Sequence, residues 1–278
     1  FIPGLSGIRV SDAPQGVLSG GPNSAITTML HKMGQTIPRA TALAINSFEG
    51  IDPAVEEQLG SRFKQFLNVG PLVLTSPGLD AGDPDGCLEW LEQRREKSVV
   101  YISFGSVISP PPHELEELSR ALKEGAFPFL WSFRGNPSEK LPEGFVERTK
   151  DQGKFVSWAP QLKVLEHRAT GAFLTHCGWN SILDSIIGVV PMICRPFFGD
   201  QKLNTRIIDA IWQTGVGISG GTITKDGAIE AMKHVLSSDD GEKMRKKLQE
   251  LRSLALDAVK PDGSSMKQMK DLVEVVTK

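Results

Sequence analysis

Short apolar, β-branched runs alternate with stretches of helical periodicity along most of the chain. Runs of this kind bounded by turn-forming residues predict buried strands, and the 3.6-residue period between them predicts amphipathic helices. The predicted strands are Val99 to Phe104, Pro128 to Phe133, Lys154 to Ser157, Ala172 to Thr175, Met192 to Cys194 and Val216 to Ile218. The predicted helices are His113 to Glu124, Leu162 to Glu166, Asn180 to Ile187, Gln201 to Gln213, Asp226 to Leu236 and Lys243 to Val259. Strands separated by helices of this length predict parallel pairing through right-handed crossovers, hence an α/β fold with a doubly wound sheet. Ligands of such sheets bind beyond the carboxyl ends of the strands.

Before this regular region the pattern is thinner. It predicts a loop, a helix near Asn23 to Gln35, a strand at Thr41 to Phe48, a helix near Pro53 to Phe66 and a strand at Val69 to Leu74. That is barely half of an α/β domain. TSPGLDAGDPDG, residues 75 to 86, has the composition of a linker. A last helix, near Ser265 to Val276, follows a Pro261-Asp262-Gly263 turn, with Ser264 or Ser265 as the expected N-cap. The start has no initiator Met and opens in loop-like sequence, so the chain is expected to be part of a longer one.

Composition narrows the function. With 278 residues and 40% hydrophobic content the chain can bury a substantial core. Lys plus Arg number 31 against 33 Asp plus Glu, which gives no positive field for nucleic acid or acidic membranes. Cys87, Cys177 and Cys194 have no second Cys or His at metal-ligand spacing and read as small buried thiols of a cytoplasmic protein. No window reaches the roughly 20 apolar residues of a membrane span.

Four strand ends carry candidate chemistry. Ser103-Phe104-Gly105-Ser106 runs a buried strand into a Gly and a hydroxyl; alone, this is an ordinary turn. Trp158-Ala159-Pro160-Gln161 offers an aromatic plane and rigid backbone that could stack a base and read its edge, although a lone Trp is more often core. Thr175-His176-Cys177-Gly178-Trp179-Asn180-Ser181 is a strand, a sharp turn and a helix start. Its amides and dipole make an anion site, and its alternative is a Ser or Asn N-cap beside a buried His. In Phe197-Phe198-Gly199-Asp200-Gln201 a carboxylate beside an amide suits vicinal hydroxyls, but Asp at a helix start is also a common cap. An aromatic plate, an anion site and a polyol clamp on consecutive strand ends of one sheet follow the layout of a UDP-sugar.

The run WAPQLKVLEHRATGAFLTHCGWNSILDSIIGVVPMICRPFFGDQ resembles, without a gap, the signature box of plant secondary-product UDP-glycosyltransferases. FIPGLSGIRVSD, INSFEGIDP, YISFGS, PEGF and CRPFFGDQ look most like the flavonoid and anthocyanidin 3-O-glucosyltransferases of that family. The resemblance implies the GT-B fold, with a doubly wound Rossmann-like C-terminal domain at 87–260 and the trailing part of a Rossmann-like N-terminal acceptor domain at 1–74. It makes 75–86 the linker and 261–278 a helix returning to the first domain. It further implies inverting, metal-independent transfer of glucose from UDP-glucose, a co-substrate with no other cofactor, to a flavonoid-like hydroxyl.

Carried over position by position, Trp158 stacks on uracil, Ala159 pairs with it through its backbone and Gln161 lies near the ribose. Ser106, His176, Asn180 and Ser181 hold the diphosphate, with Trp179 beside the sugar. Asp200 and Gln201 bind the hexose hydroxyls, and a terminal Gln is associated with glucose rather than galactose. Asp184 replaces the usual ribose-binding Glu and is one methylene shorter.

The family's catalytic His and its Asp partner belong to an N-terminal part that this sequence does not contain. His31, His113, His167 and His234 match no catalytic motif, and His167 reads as a partly buried structural residue. Two expectations follow: the missing segment comes from a second chain, or this chain is a truncated module that binds UDP-sugar and catalyses nothing. A nicotinamide dehydrogenase is excluded, because no strand is followed by a Gly-x-Gly-x-x-Gly turn.

Overall fold

The computed structural model describes residues 7–14, 17, 21, 24–75 and 82–277. The chain divides into two compact units, residues 1–79 with 250–278 and residues 80–249.

In the smaller unit α1 (Ala25–Thr36) precedes β1 (Leu43–Ile45), and α2 (Pro53–Gly60) connects it to the parallel strand β2 (Phe66–Asn68). Asp52 caps α2 by accepting from the Val55 N–H at 3.2 Å, and Pro53 sits in the first turn, where its missing donor costs nothing. The expected strand Val69 to Leu74 is not formed. Pairing with β1 lies earlier, at Phe66–Asn68, and Leu72–Thr75 closes into a helical turn whose Leu72 N–H donates to the Asn46 side chain at 2.9 Å. The apolar run looks like a strand, but Pro71 cannot donate to a ladder and Asn46 supplies a local alternative.

The larger unit begins with α3 (Cys87–Glu92), whose Cys87 and Leu88 N–H groups both donate to the Asp83 carboxylate at 2.8 Å. The linker expected at 75–86 therefore ends in a built cap, while 76–81 lie outside the described residues. There follow β3 (Val99–Ser103), α4 (Pro112–Gly125), β4 (Phe129–Ser132), β5 (Gly153–Val156), α5 (Gln161–Glu166), β6 (Thr170–Thr175) and α6 (Trp179–Gly188). Then come β7 (Met192–Cys194), α7 (Gln201–Arg206), β8 (Gly215–Gly217), α8 (Lys225–Ser237) and α9 (Asp239–Ala258), whose residues from Glu250 on belong to the smaller unit. All six strands are parallel, in the order β5-β4-β3-β6-β7-β8.

Every residue of β3 and β6 is buried, as strands covered on both faces must be. On one face Val100, Ile102, Ala172 and Leu174 share a core with Leu118 and Leu122 of α4 and Met232 and Val235 of α8. On the other, Tyr101 and Phe173 are register partners whose rings stack at 5.0 Å.

The helix expected over Gln201 to Gln213 keeps its α form only to Arg206. Residues Ile207–Trp212 continue as a π-helical turn that ends at Gln213 in the left-handed region. The final helix, α10 (Ser264–Thr277), belongs to the smaller unit, where Gln268 Oε1 accepts from the Asn68 N–H of β2. It starts one residue earlier than expected, so Ser264 and Ser265 lie within its first turn and Gly263 precedes it.

Candidate functional site

The winding of the sheet reverses between β3 and β6, so the crevice at their carboxyl ends is the switch point where such folds bind ligands. The residues singled out in the sequence all follow strand ends. Ser106 follows β3, Trp158 and Ala159 follow β5, and Gln161 opens α5. His176 follows β6, Trp179, Asn180, Ser181 and Asp184 lie on α6, and Asp200 and Gln201 follow β7.

These strand ends are consecutive in sequence and belong to one sheet, but they are not all neighbours in it. β4 and β3 separate β5 from β6, so β5 itself lies roughly 14 Å along the sheet from β6 at ~4.8 Å per strand, and the chain after it turns back until Gln161, three residues beyond Trp158, meets Tyr101 of β3. Double winding forces this separation, because β5 ends one half of the sheet and β6 begins the other.

At the switch point the chain turns sharply. Cys177 adopts φ 64°, a left-handed conformation uncommon for a residue with a side chain, and its N–H donates to Thr175 Oγ1 at 3.2 Å. The His176 ring lies against two glycines. A Cβ on Gly105 would approach its Cε1 to 2.7 Å, and one on Gly178 its Nε2 to 2.5 Å, so neither position admits a side chain without moving the ring.

Burial holds the His176 pKa below its usual value, against weaker opposing pulls from the Ser103 backbone and the Asp200 carboxylate. The ring is therefore neutral at neutral pH. Its Nδ1 is buried without a partner of hydrogen-bonding geometry, although the Ser103 backbone is near enough to favour the protonated ring. Gly178 precedes α6 and has no side chain to cap it; Asn180 and Ser181 sit in the first turn rather than at the cap. The capping alternative for those two residues is thus removed.

Toward β5, Trp158 is 45% exposed, which removes the core alternative for it, while Ala159 is buried. Gln161, Ser181 and Asp184 come together. Gln161 Nε2 donates to Asp184 Oδ2 at 2.8 Å and to Ser181 Oγ at 3.3 Å, and its Oε1 accepts from the Tyr101 hydroxyl at 3.4 Å. Burial raises the Asp184 pKa, with the Gln161 hydrogen bond opposing it.

Toward β7, the buried Gln201 accepts the Phe197 and Phe198 N–H groups on Oε1 at 2.8 and 3.1 Å. That fixes which end of its amide faces the loop backbone. Asp200 occupies the cap position of α7, yet its carboxylate caps nothing. Its Oδ2 instead accepts from Asn204 Nδ2 at 3.0 Å.

Three residues beside the site escaped the sequence reading. Asn204 is one. Arg195 and Glu114 are the others: Nε donates to Glu114 Oε2 at 2.7 Å and Nη2 to Oε1, while the guanidinium covers the Phe197 ring at 4.1 Å. Burial alone would raise the Glu114 pKa, but the bonds from Arg195 and from the Ile223 N–H bring it below the ordinary value. A charge directly after an apolar strand was the available signal; its partner 81 positions away was not readable. His167 is structural, as expected: Nδ1 accepts from the Ala169 N–H at 3.2 Å, so Nε2 carries the proton toward Glu92 at 3.1 Å. Among the described residues no three His, Cys, Asp or Glu side chains converge as a metal site would require, and no helix is long and apolar enough to cross a membrane.

A doubly wound parallel sheet with a Gly-led helix start at its switch point is an architecture on which nucleotides are commonly bound. The chain belongs to the UDP-glucoronosyl and UDP-glucosyl transferase family, whose model matches residues 79–261. It is 51% identical over 276 residues to a flavonoid 3-O-glucosyltransferase of Medicago truncatula, covering 99% of this chain and 61% of that protein. It is 49% identical over 276 residues to an anthocyanidin 3-O-glucosyltransferase of Manihot esculenta, covering 99% of this chain and 96% of that sequence. The crystal structure of a UDP-glucose: anthocyanidin 3-O-glucosyltransferase in complex with UDP superposes with a TM-score of 0.91 at 40% identity, covering 100% of this chain and 63% of that one. The fold is that of the GT-B UDP-glycosyltransferases. The chain spans about three fifths of the length of the Medicago relative and of the crystallised protein.

Proposed function

We propose that this chain supplies the UDP-glucose site of a cytoplasmic flavonoid or anthocyanidin 3-O-glucosyltransferase that inverts the anomeric carbon without a metal or a further cofactor. In this reading residues 87–260 are the donor domain and residues 1–74 the trailing part of the acceptor domain, with α10 returning to it. Trp158 stacks on uracil, the Ala159 backbone pairs with the base edge, and Gln161 and Asp184 hold the ribose. Ser106, His176, Asn180, Ser181 and the start of α6 take the diphosphate, Trp179 lies beside the sugar, and Asp200 and Gln201 grip the hexose.

The acceptor hydroxyl gives its proton to a base on a segment not among these 278 residues and attacks the anomeric carbon in line. UDP leaves with its new charge beside the α6 start, where the helix dipole favours an anion. The observation that carries the reading is the uncapped, glycine-bounded turn between β6 and α6 at the switch point, with Asp200 and Gln201 beside it.

Two measurements test it. Titration of the chain with UDP quenches Trp emission, and Trp158→Ala abolishes most of that response; an unaltered response removes Trp158 from the base site. The purified chain leaves flavonols and anthocyanidins unmodified, whereas adding the N-terminal segment of a full-length relative restores glucosylation. Turnover by the chain alone overturns the assignment of the base to another segment.

A further inference from the structure

Asn204 joins the two halves of the site. Its side chain is buried, with 4% of its surface exposed, on a helix just beyond Asp200 and Gln201. The amide nitrogen has two protons, and each has a partner. One goes to the carbonyl oxygen of Cys177 at 3.0 Å, the other to Asp200 Oδ2 at 3.0 Å. Cys177 is the left-handed residue of the turn that leads into α6. Asp200 follows β7, the strand next to β6 on the side away from β3.

The two bonds differ in what they do. The Cys177 carbonyl belongs to a fully buried residue, so the bond to it satisfies a group that would otherwise be left without a partner. Asp200 is exposed, and water would solvate its carboxylate equally well if Asn204 were absent. That second bond therefore adds little to folding; it selects one rotamer from those an exposed Asp samples. With Oδ2 held, Oδ1 is the oxygen left to accept from a ligand. Gln201 is fixed in the complementary sense, because its carbonyl oxygen faces the Phe197 and Phe198 amides and its NH2 is left to donate. An acceptor and a donor of settled orientation thus stand side by side.

We propose that Asn204 is a positioning residue that sets the Asp200 carboxylate against the turn at Cys177, so that the grip on the hexose is registered to the place where the diphosphate sits. The inference rests on the proposed UDP-glucose site. It assigns Asn204 a role in distinguishing UDP-glucose from UDP, which a purely structural tie to Cys177 does not have.

The test is calorimetric titration of the 278-residue chain with UDP and with UDP-glucose, for the parent, Asn204→Leu, Asp200→Ala and the double variant. The parent binds both, UDP-glucose more tightly. Asn204→Leu lowers UDP-glucose affinity about tenfold relative to UDP, the scale of one hydrogen bond to a charged group. In the Asp200→Ala background, where no acceptor remains for Asn204 to hold, Asn204→Leu produces no further loss of that preference. Should the Leu variant not fold, Asn204→Ser, which retains a single proton to donate, gives the same readout. Equal losses for both ligands, or additive effects of the two substitutions, overturn the positioning role while leaving the proposed function intact. A parent chain that binds neither ligand overturns the proposed function, and the inference with it.

Discussion

The two ends of the candidate site are built differently. At the end that the chain reaches from β5 by way of α5, the polar contacts run between side chains: Gln161 to Asp184, Gln161 to Ser181 and Tyr101 of β3 to Gln161. Near β7 they run mainly from side chains to backbone, Gln201 to the Phe197 and Phe198 amides and Asn204 to the Cys177 carbonyl, with Asn204 also holding Asp200 Oδ2, over an ion pair of Arg195 with Glu114. Side chains that hold only each other can exchange partners when a ligand arrives, whereas side chains bound to fixed backbone are already in place. The β7 end is preorganised and the β5 end adaptable. Substitutions toward β7 should therefore disturb the fold and discrimination among sugars, and those toward β5 overall nucleotide affinity.

The largest effect is expected where the β7 end meets the core. The Glu114 side chain is 1% exposed and that of Arg195 11%, so Glu114→Ala leaves a guanidinium buried without its counter-charge. Denaturant titration should show a loss of about 3 to 5 kcal/mol. A loss below ~1 kcal/mol would mean that the loop after β7 does not depend on this pair.

Next, Gln201→Leu keeps volume but removes the acceptor of two backbone amides, and UDP-glucose affinity should fall by about 2 kcal/mol while UDP affinity holds. Parallel loss for both ligands would place Gln201 outside the sugar end. Trp158→Ala should cost about 1 to 3 kcal/mol for UDP and UDP-glucose alike, the scale of a base stacked on an aromatic ring. A loss confined to UDP-glucose would reverse the assignment of the two ends.

Asp184 gives the smallest effects. Asp184→Glu restores a longer arm toward the ribose, and UDP should bind more tightly by less than ~1.5 kcal/mol, with a 2′,3′-dideoxyribose analogue unaffected. Equal gains for both ligands would show that Asp184 never faces the ribose. Because burial raises its pKa in the folded chain, the native state holds the Asp184 proton more firmly than the unfolded state does. Its contribution to stability is thus fully present below the ordinary aspartate value of 3.8 and declines as pH rises through the raised one. Asp184→Asn should remove that decline, seen as a flatter dependence of melting temperature on pH.

All six strands of the main sheet were legible, because each is a short apolar run between turn signals and the strands of a covered parallel sheet contain little else. In the smaller unit the strands are three residues long, too short for a pattern to separate Phe66–Asn68 from the apolar Val69 to Leu74 beside it. The residues proposed for the site stand out in the sequence as types at strand ends. Their burial does not, and burial is what distinguishes an exposed Trp158 and an uncapped α6 from a core Trp and an N-capped helix. Arg195 and Glu114 were illegible for a different reason: they lie 81 positions apart, and no local pattern encodes such a pairing; Asn204 is four residues from Asp200, but the Cys177 carbonyl that fixes it is 27 positions away.

The most direct test of the site is a crystal structure of this chain with UDP-glucose. The account predicts uracil stacked on Trp158, the diphosphate at the start of α6 beside His176, and glucose hydroxyls on Asp200 Oδ1 and Gln201 Nε2, with the Gln201 bonds to the Phe197 and Phe198 amides unchanged. Uracil at the β7 end, or a diphosphate away from the β6–α6 turn, would contradict it.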